Sequence, residues 1–472
     1  VVAAIFWANA SQKEKVVNAG IKIENMDITI NPGDDFYEYA TRGWQVRNPM
    51  PDDYSRYGAF EVLRNTNLGR TREIAEKDTG KIGTLYSVAM NAEKLNADGT
   101  KPVAKQLAEI DTLTRDGLEK YMGKMFTYSS AFWGDGVGLD EMDSEHFLYN
   151  IGQGGLGLSR DYYFDSDAKS VEIRKKYKEF IAKQMKNFGI DVDVNKLYAL
   201  EERMAKSFYP KEKLRDPHAN YHKMSTAEVK EKFTGFDWDA FLGARGATAA
   251  EYINIAQPEA IAESIAIMND TDFELIKTYL KYRIVSAADT VLDDETYEIS
   301  FDFYNRTMAG QKEQKPRWKR AVAMIDGALG EEVGRLYVEK HFSEDAKERM
   351  QMLVKNLQRA YAMRIEKLDW MSDETKQKAL EKLSTFRAKI GYPDKWRDYS
   401  KLEIKNDSLW ENMVRVAQFE DAFWLEKIGQ KKDPTIWYMN AHEVNAYYDP
   451  SSNEICFPAG ILQYPFFDMD AD

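Results

Sequence analysis

The sequence has 472 residues, a net charge of −13 and a sequence pI of about 5.2. An acidic chain repels the phosphate backbone, so we exclude nucleic-acid binding as its function. Hydrophobic residues make up 43% and charged residues 30%, which is typical of a soluble globular protein. At about 150 residues per domain, this length predicts roughly two to four lobes.

The start of the chain resembles the end of a secretory signal. Val1–Trp7 is apolar, and Ala8-Asn9-Ala10 supplies a small-x-small cleavage pattern before a polar stretch. We therefore predict that residues 1–10 end a signal peptide, that residues 11–30 form a linker, and that the protein is exported to the periplasm or the extracellular space. The apolar run is too short to span a bilayer, and we expect no membrane span elsewhere.

Two successive helices are the clearest local prediction. Ser343 is a good N-cap, and the apolar residues that follow it recur at three- and four-residue spacing. They are Met350, Leu353, Val354, Leu357, Tyr361, Ile365 and Leu368. Ser372 caps the second helix, which we expect to stop at Gly391 and Pro393. Both apolar stripes are interpreted as buried core.

Other segments complete the predicted outline. Residues 171–206 and 259–298 are predicted to be helical, and the turn-rich stretch 234–247 is predicted to be a loop. Near the end, residues 444–448 and 454–457 predict two strands joined by a turn. We therefore expect a mostly helical body that leads into a mixed α/β segment.

Two local patterns invite a cofactor or a metal, and we reject both. Gly152–Gly157 matches G-x-G-x-x-G, but a dinucleotide site needs a helix directly after the glycines, and a turn-like stretch follows instead. His218 and His222 have helical spacing, but Ala219 stands where a zinc peptidase has glutamate, and Pro217 disfavours a helix.

The remaining histidine and cysteine patterns are also weak. His442-Glu443 begins an H-E pair, but Ala446 stands where the second histidine of H-E-x-x-H belongs. Cys456 has no cysteine partner and is interpreted as a small buried hydrophobe. Asn445-Ala446 is a stronger candidate, because an exposed strand edge can pair with an extended peptide. An ordinary paired strand is the alternative.

Nine short segments carry distinctive motifs. They are residues 31–39 (NPGDDFYEY), 56–61 (RYGAFE), 158–163 (LSRDYY), 214–217 (LRDP), 315–318 (KPRW), 336–340 (LYVEK), 390–393 (IGYP), 444–448 (VNAYY) and 457–463 (FPAGILQ). Together they resemble the neprilysin family of zinc metallopeptidases, which includes the endothelin-converting enzymes and bacterial oligopeptidase O, and they run in family order from about residue 31 to the end of the sequence.

The resemblance implies a mainly α fold, with a large helical cap lobe followed by the first α/β part of a thermolysin-like catalytic lobe. It places the cap in residues 31–390 and the start of the catalytic domain in residues 391–472. It also implies that oligopeptides bind between the lobes. In the family, Asn and Ala of the N-A-Y-Y strand hold the substrate backbone, which carries over to Asn445 and Ala446.

The resemblance further implies a basic subsite for the far end of the substrate. The arginine of the R-Y-G segment is Arg56, and Arg64 matches a second basic position. Guanidinium groups suit a peptide carboxylate because they bind it through two hydrogen bonds. The chain departs from the animal members because it lacks their cysteines, which fits a bacterial member.

The family's zinc helix, H-E-x-x-H, follows the segment that matches residues 457–463. No such pattern occurs in this sequence, so we assign no catalytic residue and no metal ligand. We expect a fragment of an exported zinc metalloendopeptidase that binds oligopeptides and is inactive alone. The alternative is a non-catalytic helical module that binds peptides or partners. We also expect Phe466 and Phe467 to be exposed and to promote aggregation.

Overall fold

The computed structural model describes residues 22–469. The predicted signal peptide and the linker as far as residue 21 lie outside the described residues. The chain divides into two compact units. Unit 1 is Val1–Thr71, Gly330–Trp396 and Trp437–Asp472, and unit 2 is Arg72–Leu329 and Arg397–Ile436. The sequence-based boundary between residues 390 and 391 stays a prediction.

Helices dominate the described part of the chain. In chain order they are α1 (Phe36–Arg47), α2 (Ala59–Lys77), α3 (Lys81–Met90), α4 (Ala92–Asp98), α5 (Ala104–Asp111), α6 (Leu118–Met125), α7 (Asp161–Phe164), α8 (Ala168–Asn187), α9 (Val194–Ser207), α10 (Thr226–Lys232), α11 (Trp238–Arg245), α12 (Pro258–Asp270), α13 (Phe273–Ala288), α14 (Asp294–Ser300), α15 (Arg317–His341), α16 (Glu344–Glu366), α17 (Asp373–Ser384) and α18 (Leu409–Leu425). A π-helix, Phe301–Met308, continues α14. No helix described between residues 22 and 469 is long and apolar enough to cross a lipid bilayer.

Each unit contains one small sheet. The strands are β1 (Trp133–Asp140), β2 (Asp143–Gln153), β3 (Lys223–Ser225), β4 (Tyr252–Ile255), β5 (Arg387–Gly391), β6 (Tyr447–Asp449) and β7 (Glu454–Pro458). The sheet of unit 2 has the order β1-β2-β4-β3, and that of unit 1 has the order β5-β7-β6. In unit 1, β7 pairs parallel with β5 and antiparallel with β6, so β6 lies at an edge.

The two capped helices of unit 1 are confirmed. The Ser343 side chain accepts a hydrogen bond from the Ala346 N–H at the start of α16, and the Ser372 side chain accepts one from Thr375 at the start of α17. The predicted stop at Gly391 is wrong, since α17 ends at Ser384 and strand β5 follows. A short apolar strand is difficult to distinguish from the end of a helix by periodicity alone.

The core of unit 1 includes only part of the predicted stripe. Met350 and Val354 are buried in a cluster with Leu63 of α2, Ile390 of β5 and Val444, together with Ile461 and Leu462. Leu353, Leu357 and Tyr361 are 45%, 52% and 63% exposed, so the prediction that they are core is wrong. Helical spacing identifies an apolar face, but it does not say how much of that face is covered.

Glycines in unit 2 allow close packing after β2. The carbonyl of Gly155, at φ +91°, accepts a hydrogen bond from the Tyr279 hydroxyl at 2.6 Å. A Cβ atom at Gly157 would lie 1.8 Å from the Tyr177 hydroxyl oxygen. The close approach of these two tyrosine side chains is a structural reason for glycine at positions 155 and 157.

The predicted loop at residues 234–247 is wrong, because α11 lies inside it. The Asp237 side chain caps this helix by accepting a hydrogen bond from the Ala240 N–H. Trp238 and Phe241 are buried in an aromatic cluster with Trp133. The turn-forming residues thus mark the start of a short helix, and burial of its aromatic side chains stabilises it.

Candidate functional site

Glu61, on helix α2, contacts two of the predicted site residues. Glu61, in the first turn of α2, is only 8% exposed. Its Oε1 atom lies 3.2 Å from Arg56 Nε and 3.2 Å from Arg64 Nη1. The Arg56 side chain is 78% exposed and that of Arg64 is 38% exposed. Two guanidinium groups on one carboxylate leave a net positive charge and N–H donors on the surface.

Arg64 also contacts the segment that contains the other two predicted residues. Its Nη2 atom donates a hydrogen bond to the carbonyl oxygen of Val444 at 3.4 Å. Asn445 and Ala446 follow Val444 directly. The structure therefore brings Arg64 and the Asn445-Ala446 pair together within unit 1, although they are separated by about 380 residues of chain.

Asn445 and Ala446 lie just before a strand, not within it. Strand β6 begins at Tyr447, so the prediction of a strand from residue 444 is wrong at its start. Val444 is a core residue at 3% exposure, which accounts for its apolar character without a strand. Asn445 Oδ1 accepts a hydrogen bond from the Ala446 N–H at 3.0 Å, and this bond leaves the Asn445 amide nitrogen as a donor.

A buried polar group fixes the strand that follows. Glu454 Oε1 accepts hydrogen bonds from Lys389 Nζ at 2.6 Å and from the Tyr447 hydroxyl at 3.0 Å. Burial raises the pKa of the Tyr447 hydroxyl, so it stays protonated and donates. Burial also raises the pKa of the neighbouring Cys456 thiol to about 12, which makes this cysteine a poor nucleophile.

Sequence reasoning missed the contribution of a second α2 side chain. Asn67 is buried, and its amide nitrogen donates hydrogen bonds to the carbonyl oxygens of His442 and Gly460. The only sequence signal is its spacing, because Asn67 lies one helical turn after Arg64 on the same face. A polar residue on an otherwise buried helical face needs a partner, but the sequence does not name that partner.

The described residues do not fit a zinc site. Within residues 22–469 the structure assembles no group of three or more His, Cys, Asp or Glu side chains that could hold a metal ion. His218 lies in a three-residue 3-10 helix that ends at Asn220, so His222 does not share a helix with it. A catalytic zinc needs three converging protein ligands. The described residues therefore supply no ligand group from which a metal-dependent step could be derived.

Comparison with known proteins decides the family. The model described as peptidase family M13 matches residues 32–393, and a second model of that family matches residues 445–472. The chain belongs to peptidase family M13. The resemblance to the neprilysin family that the sequence motifs indicate is therefore confirmed, as is membership of a metallopeptidase family.

Curated members of the M13 family are longer than this chain. Mouse membrane metallo-endopeptidase-like 1 is 29% identical, with 96% of this chain and 66% of the relative covered. Human neprilysin is 28% identical, with 96% of this chain and 67% of its own length covered. The chain thus spans about two thirds of the length of these relatives.

Solved M13 structures share the fold. The zinc metalloprotease ZMP1 of Mycobacterium tuberculosis, solved with an inhibitor, superposes with a TM-score of 0.91 at 32% identity and covers 97% of this chain and 72% of its own. PepO from Lactobacillus rhamnosis superposes with a TM-score of 0.81 at 23% identity and covers 95% and 72%. The predicted fold class, mainly α with a large helical cap and an α/β part of a thermolysin-like lobe, is confirmed.

Proposed function

We propose that this M13 protein is a zinc metalloendopeptidase acting on oligopeptides, and that Arg56, Arg64, Asn445 and Ala446 form its peptide-binding surface. The proposal is carried by one contact, the hydrogen bond from Arg64 to the Val444 carbonyl. That bond puts a cationic group beside a segment that can hold a peptide backbone. Extended peptides are recognised through main-chain hydrogen bonds combined with a few specific side-chain contacts.

Each residue has a distinct role in the proposal. The Asn445 amide nitrogen donates to a carbonyl of the substrate, and Ala446, which carries only a methyl group, lets an extended backbone approach closely. Arg56 and Arg64 bind the terminal carboxylate of the substrate. Glu61 holds both guanidinium groups through contacts of 3.2 Å, which lowers the entropy that they lose on binding.

We propose that the whole enzyme binds zinc, but residues 22–469 give no mechanism that uses it. A zinc ion held elsewhere in the whole enzyme would supply polarisation of the scissile carbonyl and activation of water. Since residues 22–469 hold no three-ligand group, we derive no step through the metal. We expect the 472-residue chain to bind oligopeptides and, with zinc added, not to hydrolyse them.

A binding measurement tests this function. A fluorescent hexapeptide with a free carboxyl terminus is titrated with the 472-residue chain, and its anisotropy is recorded. Arg56→Ala is expected to weaken binding about tenfold, which matches the loss of one charge-assisted hydrogen bond. The amidated hexapeptide is expected to bind weakly and to show no effect of Arg56→Ala, because it offers no carboxylate.

Arg42→Ala is the matched control, since it removes an exposed, ion-paired arginine elsewhere in unit 1. It is expected to leave both affinities unchanged. Equal affinity of the two hexapeptides, or an equal loss in the two arginine variants, would contradict the assignment of the basic subsite.

The alternative function is that of a non-catalytic peptide-binding module. It agrees with the absence of a metal-binding group among the described residues. The two functions differ in the protein purified from its natural source. A zinc metalloendopeptidase contains about one zinc per chain and loses hydrolysis on chelation. A binding module contains none and retains peptide binding when a chelator is present.

We also propose that the protein is exported. The proposal is supported by the apolar stretch Val1–Trp7 and the small residues Ala8-Asn9-Ala10 that follow it. A reporter lacking its own signal, fused behind the natural leader, is expected to be found outside the cytoplasm. Retention of that reporter in the cytoplasm would contradict export.

A further inference from the structure

We infer that Asn67 is a positioning residue of the peptide-binding site, holding the helix that carries Arg64 in register with the segment that carries Asn445. This inference rests on the proposed function, because it concerns the alignment of the residues proposed to bind the peptide. Asn67 itself is 4% exposed, so it acts through its neighbours and not by touching the substrate.

The Asn67 amide makes a full set of hydrogen bonds. Its Nδ2 atom donates to the His442 carbonyl at 3.2 Å and to the Gly460 carbonyl at 3.1 Å. Its Oδ1 atom accepts from the Tyr337 hydroxyl at 2.9 Å and from Arg70 Nη1 at 3.3 Å. An amide has two donor hydrogens and two acceptor lone pairs, so every one of them is used. Such a residue fixes its surroundings in one arrangement.

The carbonyls that Asn67 holds belong to two chain segments in close contact. A Cβ atom at Gly460 would lie 2.2 Å from the His442 carbonyl oxygen, so the two backbones touch at a position where only glycine fits. The Gly460 N–H also donates to the Ala441 carbonyl at 2.8 Å. Asn67 bridges these two backbones and ties both of them to α2.

These contacts set the position of Arg64 relative to Asn445. Arg64 and Asn67 are three residues apart on one face of α2, and Val444 follows His442 by two residues. Asn67 bonds to the His442 carbonyl, and Arg64 bonds to that of Val444. These two parallel contacts set the separation between the guanidinium group and Asn445, on which the fit of a peptide depends.

Loss of this amide is expected to weaken peptide binding. In the zinc-free protein, Asn67→Ala is expected to raise the dissociation constant of the free-carboxyl hexapeptide about tenfold, since it removes the bonds that align the segment. Tyr337→Phe removes the hydroxyl that donates to Asn67 and accepts from Arg70, and it is expected to raise the dissociation constant about threefold. This milder variant keeps the test decisive if Asn67→Ala does not fold.

Thr71→Val is the matched control. Thr71 lies on α2 one turn after Asn67, is equally buried, and has a hydroxyl without a partner among the described residues. Its substitution is expected to leave peptide binding unchanged. Equal weakening in Thr71→Val and Asn67→Ala would show a general effect of disturbing α2 and would overturn the inference.

A double-mutant cycle separates positioning from general stability. If Asn67 acts by aligning Asn445, then adding Asn67→Ala to Asn445→Ala changes the dissociation constant by less than about twofold. The same loss in both backgrounds would overturn the inference. If Asn445→Ala alone leaves binding unchanged, the proposed role of Asn445 fails and the inference fails with it. If Asn445→Ala weakens binding and neither Asn67→Ala nor Tyr337→Phe does, only the inference fails.

Discussion

Glu201, on α9, is a carboxyl group fully buried in unit 2. It accepts hydrogen bonds of 2.8 Å from the hydroxyls of Tyr163 and Tyr177 and one from the Gly157 N–H. Burial raises its pKa to about 7, although these hydrogen bonds and the charge of Arg283 act in the opposite direction. Desolvation outweighs the bonds because no basic side chain among residues 22–469 forms an ion pair with the carboxylate.

This pKa predicts a pH-dependent stability. The folded-state pKa of Glu201 lies above its ordinary value of 4.5, so its contribution is complete below that value and is lost as the pH rises through 7. The free energy of unfolding is expected to fall by about 3 kcal/mol between pH 5 and pH 8 from this group alone. Glu201→Gln is expected to remove that part of the fall, as measured by urea unfolding at both pH values.

Asp289 provides the matched comparison. It is a second buried carboxyl group of unit 2, and burial raises its pKa to about 6. Asp289→Asn is expected to remove a smaller part of the fall, located at lower pH, since its pKa is closer to its ordinary value. If Glu201→Gln leaves the pH dependence of the wild-type protein intact, the assignment of the fall to Glu201 is wrong.

At the residue level, the sequence indicated the exposed site residues better than the buried ones. The sequence alone is enough to recognise the motifs that contain Arg56, Arg64 and the Asn445-Ala446 pair. The roles of Glu61 and Asn67 depend on contacts made in three dimensions, and the two carbonyl groups to which Asn67 donates lie 375 and 393 residues away along the chain. Spacing on a helix shows that two residues share a face, but not what that face meets.

Strands β5 and β7 of unit 1 are joined by a buried ion pair. Lys389 and Glu454 are both nearly inaccessible, and the side-chain hydroxyl of Tyr447 on β6 completes the group. The three strands of this small sheet therefore share one polar centre. The pair adds little net stability relative to an apolar pair of the same size, because burial of both charges costs free energy that offsets their attraction.

Breaking this pair is expected to destabilise unit 1 strongly. Glu454→Gln removes the carboxylate that lies 2.6 Å from the buried Lys389 ammonium, which is expected to lower the free energy of unfolding by about 3–5 kcal/mol. The double variant Lys389→Met/Glu454→Gln removes both charges and keeps an acceptor for Tyr447, so it is expected to recover most of the loss. The midpoints of urea unfolding measure both effects. A double variant as unstable as the single one would contradict this account.

Among the elements, capped helices could be predicted and the sheets mostly could not. Ser343 and Ser372 mark helix starts because their side chains satisfy main-chain N–H groups locally. Strand β1 contains three glycines and pairs with β2, whose other neighbour β4 lies about 100 residues further along the chain. Strand formation depends on such distant partners, which local patterns do not contain.

At the scale of the whole molecule, the two units differ in their surfaces. Among residues 22–469, most large apolar side chains that stand exposed belong to unit 1. The expectation that Phe466 and Phe467 are both exposed is only partly correct. Phe466 is 40% exposed and contacts Phe60 with the two rings tilted by 48°, whereas Phe467 contacts the core of unit 1. The larger exposed apolar surface lies on α16.

This surface predicts self-association of the 472-residue chain. Leu353, Leu357 and Tyr361 are spaced four residues apart, so they form a continuous apolar stripe on α16 that faces water. Contiguous apolar patches of more than a few hundred Å² on soluble proteins mark interaction or aggregation sites. Leu357→Lys places a charge in the middle of the stripe and is expected to reduce both light scattering at high concentration and binding of an apolar dye.

Val171→Lys is the matched control for that prediction. Val171 is 49% exposed on α8 of unit 2, so the substitution adds the same charge at a similar exposure. It is expected to leave scattering and dye binding unchanged, because an isolated exposed apolar side chain contributes little. If the two lysine variants reduce scattering equally, the α16 stripe does not govern association and the prediction is wrong. The charge change alone cannot account for such a reduction, since each added lysine brings the net charge of −13 one unit nearer to zero, which favours association.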